Sequence, residues 1–390
     1  SNRFFGDRLG VFVQGNLEHA DRSSERMNAG FINQARSSQD TSRVLLTENL
    51  DLRDRTETRD RYGASLLMDY TLPGGSLQFT NFFNRLGRDY VSRDNTFSTA
   101  VVAASYDLRE ARLQTDVWST ALSGEFRMPA GATLTFNLNR SSSLLDKPYD
   151  SRMRFTQNSA FDTGNLVRDQ GPQVVPGFVE RSLDETFFDR SDFFEQRMEE
   201  RDLGAQADLQ VPFQFGRALS GHVKLGGKIR NKTRENDNTQ YWLHLFYGGV
   251  NGGLDELAAV FPDAARTTGG LVGLGSFQDT GYGSSAILDD AFEIFFAPDL
   301  DLMRLAHDSL FSTMYRAAWS DFQDFSTDET ISAGYALTEI NLGPRILLLP
   351  GVRYEHTRTD YDAYFGRVPS MTTDDDDQSV VLRDTSSSQT

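Results

Sequence analysis

Five histidines, His19, His222, His244, His307 and His356, are scattered along the chain and no pair has the HExxH spacing of a zinc hydrolase. There is no GxSxG nucleophile elbow and no GxxxxGK[ST] phosphate loop. The acid pairs Glu199-Glu200 and Asp289-Asp290 are adjacent, so their carboxyls diverge and cannot share acid–base work. Cysteine is absent, which excludes thiolate metal sites, cysteine nucleophiles and disulfides. The residues therefore call for binding rather than bond chemistry. No enzyme activity, cofactor or metal is expected.

Two stretches are candidates for binding. "YWLHLFYGGVNGG" (Tyr241 to Gly253) gathers Tyr241, Trp242, His244 and Tyr247 beside glycines. Aromatics with polar tips can stack on an extracellular ligand. The same side chains can instead extend a strand and pack one loop on another. "TTDDDD" (Thr372 to Asp377) suggests calcium, but counted from Asp374 the sixth and twelfth loop positions are Ser379 and Thr385, not Gly and Glu. A solvated acidic loop is the expectation there. The formal net charge of −17 argues against nucleic acid as a partner.

The elements that hold these residues alternate with period two. One face of the 62–72 segment reads Tyr62, Ala64, Leu66, Met68, Tyr70, Leu72, and one face of 203–213 reads Leu203, Ala205, Ala207, Leu209, Val211, Phe213. About nine strands are predicted, over 8–19, 57–72, 76–90, 111–128, 132–142, 199–214, 221–231, 329–342 and 345–360. Tight turns ("PGG", "PAG", "FGRALS", "LGPR") alternate with long polar stretches at about 20–56, 91–110, 144–198, 232–326 and 362–390. Residues 250–330 alone hold fourteen Asp and Glu against three Arg. No window is apolar enough for a membrane helix.

Short turns at one end and long polar loops at the other suit an antiparallel up-and-down transmembrane β-barrel. An ordinary half-exposed antiparallel sheet alternates in the same way. In the barrel reading the inward, lumen face includes Asp69, Arg127, Lys224, Lys228, Arg230, Glu339, Arg353 and Glu355. In "RILLLPGVRYEH", Ile346, Leu348, Val352 and Tyr354 face lipid, while Leu347 and Leu349 face inward. Pro350 has no ladder donor, which predicts a bulge or an unpaired position.

Four segments, "GDRLGVFVQGNLEHADRSSE", "LDLRDRTETRDRYGASLLMDYTLPGG", "ERDLGAQADLQVPF" and "ALTEINLGPRILLLPGVRYEHTRTDY", resemble the barrel of TonB-dependent outer-membrane receptors. The resemblance implies part of a larger, 22-stranded barrel whose lumen is closed by a plug domain outside these residues. It also implies a bacterial outer-membrane location, with outer-membrane lipid, the plug and TonB as partners. The extracellular ligand is unknown; the class includes siderophore, cobalamin, glycan and peptide receptors. The alternatives are a passive porin-like barrel and a secreted β-rich surface protein.

Overall fold

In the computed structural model the described residues are 2–35, 42–216, 219–244, 252–282, 286–343, 345–365, 383–384 and 387–389. They form one large antiparallel sheet, the all-β, up-and-down arrangement expected from the sequence. Its members are β1 (Asn2–Phe4), β2 (Leu9–Asp21), β3 (Ser24–Ala35), β4 (Arg43–Leu72), β5 (Gly75–Ser98), β6 (Ala103–Arg127), β7 (Thr133–Gln157), β8 (Thr186–Phe215) and β9 (Leu219–His244). The two-residue strands β10 (Ala286–Ile287), β11 (Phe292–Glu293) and β12 (Tyr315–Arg316) lie in a long insertion. The sheet continues with β13 (Phe325–Leu342), β14 (Ile346–Leu348) and β15 (Gly351–Phe365), and the short strands β16 (Arg383–Asp384) and β17 (Ser387–Gln389), in the stretch expected as loop, pair with β15.

The expected strands are present, but they run much further than the apolar alternation. β2 and β3 are successive parts of one strand: Asp21 opposes Thr58, Arg22 donates its N–H to Glu57 O at 2.7 Å, and Ser24 opposes Arg55. The stretch expected as a loop over 20–56 is thus largely the arms of a hairpin. The 91–110 stretch is strand except around 99–102. The 144–198 stretch is strand to Gln157 and again from Thr186, and 232–326 begins with strand to His244. The physical reason is local. Above the apolar part, alternate positions carry paired charges on one face, so hydropathy reads loop where the ladder continues. Tyr247 and the TTDDDD stretch fall outside the described residues.

Pro350 leaves a gap without a bulge. Leu348 opposes Ile340 and Gly351 opposes Leu337, so the register is unbroken. Thr338 N–H still donates to Pro350 O at 2.9 Å, and only the proline's own bond is missing. The 129–131 turn needs left-handed backbone at Ala130 (φ 60°) and Gly131 (φ 73°).

Directly opposed residues share a face, so the register sorts every side chain. One row crosses Leu72, Gly75, Phe126, Leu134, Leu209, Leu225, Ala336 and Val352. β2 begins two residues above this row, at Leu9 opposite Tyr70, while β13 ends six residues below it, at Leu342. If the tight turns share one level, that eight-residue offset across seven strand spacings means a tilt of about 40°, within the range of closed barrels.

The insertion forms a cap. α1 (Gly252–Val260) and α2 (Leu300–Leu310) join residues 158–185 on the upper strands. Asp299 caps α2, its carboxylate accepting from Leu302 N–H at 2.9 Å. Met303, Ala306, His307 and Leu310 are buried, the i, i+3, i+4, i+7 stripe of a docked helix. Leu50, Leu52, Phe97, Tyr106 and Phe155 are fully buried beneath the cap, with Phe295 5.1 Å from Phe97 and Phe296 5.0 Å from Tyr106 between ring centroids.

Close packing lower in the sheet centres on Gly226. A Cβ there would lie 2.0 Å from Asp208 Oδ1 and 2.3 Å from the Tyr335 ring, and Tyr335 Oη donates to that carboxylate at 2.5 Å. Gly226→Val is expected to displace Tyr335 and cost about 1–3 kcal/mol, read as a lowered urea midpoint in detergent. An unchanged midpoint would contradict the packing.

Candidate functional site

The two faces of the sheet differ in charge. On the apolar face, among the described residues, the rows from the tight turns up to Ala205 contain no Asp, Glu, Lys or Arg on any long strand, and Arg140 and Arg358 enter in the next row of that face, with Leu203. On β8 this band runs from Leu203 to Phe215, and on β9 from Leu219 to Thr233. At the tilt above, the β8 span is about 30 Å high, close to a bilayer's hydrocarbon thickness. Aromatics mark both borders. Phe126 stacks on Phe136 at 6.1 Å and Phe213 lies 5.9 Å from Phe215 at the turn end, while Trp118 holds Arg140 over its ring at 5.5 Å above. Charge begins abruptly above the band on the same face. Arg85 donates two bonds of 2.8 Å to Asp116, and Arg201 donates to Glu199 at 2.7 Å.

The opposite face carries polar and charged rows. Asp69, Gln78, Ser123, Asn137, Gln206, Lys228, Ala333 and Glu355 form one cross-strand row. Arg127 and Lys224 share another row, and Arg230, Glu339 and Arg353 lie on the same face. All eight residues expected inward are therefore brought to one face. Their partners are local: Arg3 to Asp69 (3.2 Å), Arg230 to Asp202 (2.8 Å), His222 to Glu339 (4.0 Å) and Arg353 to Glu355 (2.5 Å). Lys224 lies 6.0 Å from the Tyr335 ring. Leu347 and Leu349 are on this face and more than half exposed (54% and 57%).

The aromatic candidates sit at the top of β9. Trp242 is 2% exposed, stacked 5.8 Å from Trp319 and 5.6 Å from Tyr315, with the His244 ring at 4.5 Å. Tyr241 is on the other face against Phe193 and Phe311. Both side chains here pack loop on strand. His244 Nε2 also approaches Asp192 at 3.8 Å.

Above the band, the polar face carries a charge patch that alternation of apolar residues could not reveal. Its sequence signal is arginine at i, i+2 spacing: Arg53, Arg55 and Arg59 around Glu57, and Arg152 with Arg154. Glu57 accepts from Arg88 (3.1 and 3.2 Å) and Arg59 (2.5 Å), with Arg55 at 3.5 Å. Asp107 accepts from Arg152 (2.7 Å) and Arg154 (2.8 Å). Asp150 accepts from Arg109 (2.7 and 2.6 Å) and Lys147 (3.0 Å). Arg190 stands 3.1 Å from Asp192, and Arg53 pairs with Asp94. Burial works against the ionised Glu57 carboxyl, yet the Arg88 and Arg59 bonds hold it below the usual carboxylate range. Asp192 behaves likewise: burial opposes its charge, and the nearby His244 and the charge of Arg190 outweigh it.

No family model and no curated protein matches the chain. Two solved structures from Acinetobacter baumannii are similar in part. One is the siderophore receptor PiuA, with TM-score 0.34 and 10% identity, covering 97% of this chain and 45% of that one. The other is BauA, the ferric preacinetobactin receptor, with TM-score 0.17 and 10% identity, covering 93% of this chain and 59% of that one. The chain spans about half the length of these receptors. Overlaps of this size carry no functional argument.

The cap is tied to the wall by charge. Arg304 on α2 donates to Glu110 of β6 at 2.9 and 2.7 Å and holds that carboxyl below the usual range, against burial. A depressed folded pKa contributes stability that is fully present above the unfolded value, about 4.3, and is lost as pH falls through the folded value. Protection from amide exchange over 300–310, taken relative to the intrinsic rate at each pH, is therefore expected to fall below about pH 4.3. In Glu110→Gln that protection should already be lower at pH 7 and nearly flat across that range. Equal pH dependence in both proteins would refute the assignment.

Proposed function

We propose that this chain is wall and surface-loop structure of a bacterial outer-membrane barrel that serves as a nutrient uptake receptor. The observation that carries the reading is the charge-free band. A soluble half-exposed sheet has no reason to exclude every charge from one face of β8 and β9 over a bilayer's height. In lipid each such charge is costly, and only strands whose bonds are all paired can cross. In this reading the apolar face meets lipid and the polar face, with Asp69, Arg127, Lys228 and Glu355, lines the lumen. Arg127, Lys224 and their neighbours suit contact with a hydrated plug or a solute path.

Energised uptake through a plug and TonB is the finer form of the proposal, and it is supported by the sequence resemblance of the strands. The ligand class is a bulky nutrient held by loops and upper wall, without catalysis by this chain. A passive pore is the alternative. Collapsing the proton gradient in cells carrying the full-length protein separates them: energised uptake stops while surface binding persists, whereas a passive pore continues to admit solute.

The membrane reading has its own test. Leu209 lies midway along the β8 band and Gln210 beside it faces the other way. Leu209→Arg is expected to cost about 2–4 kcal/mol on folding into vesicles, and Gln210→Arg well under about 1 kcal/mol. Equal costs, or recovery of the full-length protein in the soluble fraction, would exclude the barrel.

A further inference from the structure

We infer that the arginine patch on the upper polar face is a binding surface for a polyanion, a solute carrying several carboxylate or phosphate groups. The inference rests on the lumen reading of that face and adds the ligand chemistry.

The first reason is stoichiometry. A buried carboxylate needs one good cationic partner to avoid an uncompensated charge. Here Glu57 holds three arginines, Asp107 two, and Asp150 an arginine and a lysine. Counted together, nine Arg and Lys side chains meet five carboxylates, with Asp51 and Asp189 at the upper rim. A positive surplus is thus concentrated in one place on a chain whose net charge is −17.

The second reason is depth. Asp107 and Asp150 are almost wholly covered (1% and 0% exposed), whereas Arg152 and Arg109 above them keep 31% and 38% of their side chains in solvent. The anions are sunk and the guanidinium edges are outermost. A guanidinium has five donors in a planar fork, and one carboxylate below does not use them all. The remaining donors match oxyanions two at a time. Tyr90 fixes part of the array: Arg55 lies 3.6 Å and Arg109 5.7 Å from its ring centre.

The third reason is access. The cap core packs on the other face, through Leu50, Phe97, Tyr106 and Phe155. The patch and the cap core therefore do not compete for the same surface; the insertion reaches the patch's face at the Asp192 end, where Trp319 packs on Trp242.

The test uses the full-length protein in detergent, titrated calorimetrically with citrate and, separately, inorganic triphosphate. The double variant Arg88→Gln, Arg152→Gln leaves Glu57 with Arg59 and Arg55, and Asp107 with Arg154, so no buried carboxylate is orphaned. Far-UV dichroism and the urea midpoint confirm that it folds. The parent is expected to bind at least one probe, more weakly at high salt. The double variant should bind it about tenfold less tightly, a change of about 1.4 kcal/mol. Arg201→Gln, on the opposite face, should leave binding unchanged. Preference for citrate or triphosphate assigns the ligand as carboxylate or phosphate. Absence of binding of either probe to the parent overturns the inference, as does unchanged affinity in the folded double variant. Either result, obtained with membrane insertion intact, leaves the barrel reading standing.

Discussion

Cross-strand register is the constraint on which the remaining structure depends. Partners share a face, so a slip of one residue on any strand would move its charges into the apolar band and its leucines into the polar row. Lys228 and Arg230 illustrate the stakes: one step along β9 exchanges them with Gly227 and Ile229. The continuous register from β4 through β9 keeps the same two faces apart over the full band. Where register does shift, between Arg112 and Gln114 and between Lys147 and Ser151, the strands have already left the band. There the sheet's apolar face turns to supporting a cap.

One ladder therefore serves two environments. Below, its apolar face is uniform and its polar face carries modest, exposed charge. Above, the same apolar face becomes the floor of a packed aromatic core, and the same polar face becomes a dense array of buried ion pairs. Tyr106 and Asp107 show the division within two residues, one under Phe296 and the other between Arg152 and Arg154. The ion pairs do not need to be strongly stabilising to persist, because removing one partner would leave a buried charge.

Much of the lower wall was legible in the sequence. Alternation such as Leu203, Ala205, Ala207, Leu209 located strands and assigned faces, because each strand there has one apolar side. The upper wall was not. Arg53, Arg55, Glu57 and Arg59 look like a solvated run until Arg88 and Asp94 of the next strand are placed opposite them. Leu50 and Leu52 read as isolated apolar residues because the cap that covers them comes from more than two hundred residues further along the chain. Trp242 gave two readings, and only its distances to Trp319 and Tyr315 show what it touches. Periodicity reports burial by water or lipid; it is silent on pairing between distant segments.

The side of the sheet chosen by the cap has a consequence for the surrounding membrane. The cap rises from the face that carries the charge-free band, above the collar of Arg85, Asp116 and Arg201. In a closed barrel it would project outward over the lipid headgroups rather than across the mouth. Two such barrels side by side would meet cap to cap before their walls could touch. In such a barrel the insertion would act as a lateral spacer, setting how densely neighbouring barrels could crowd.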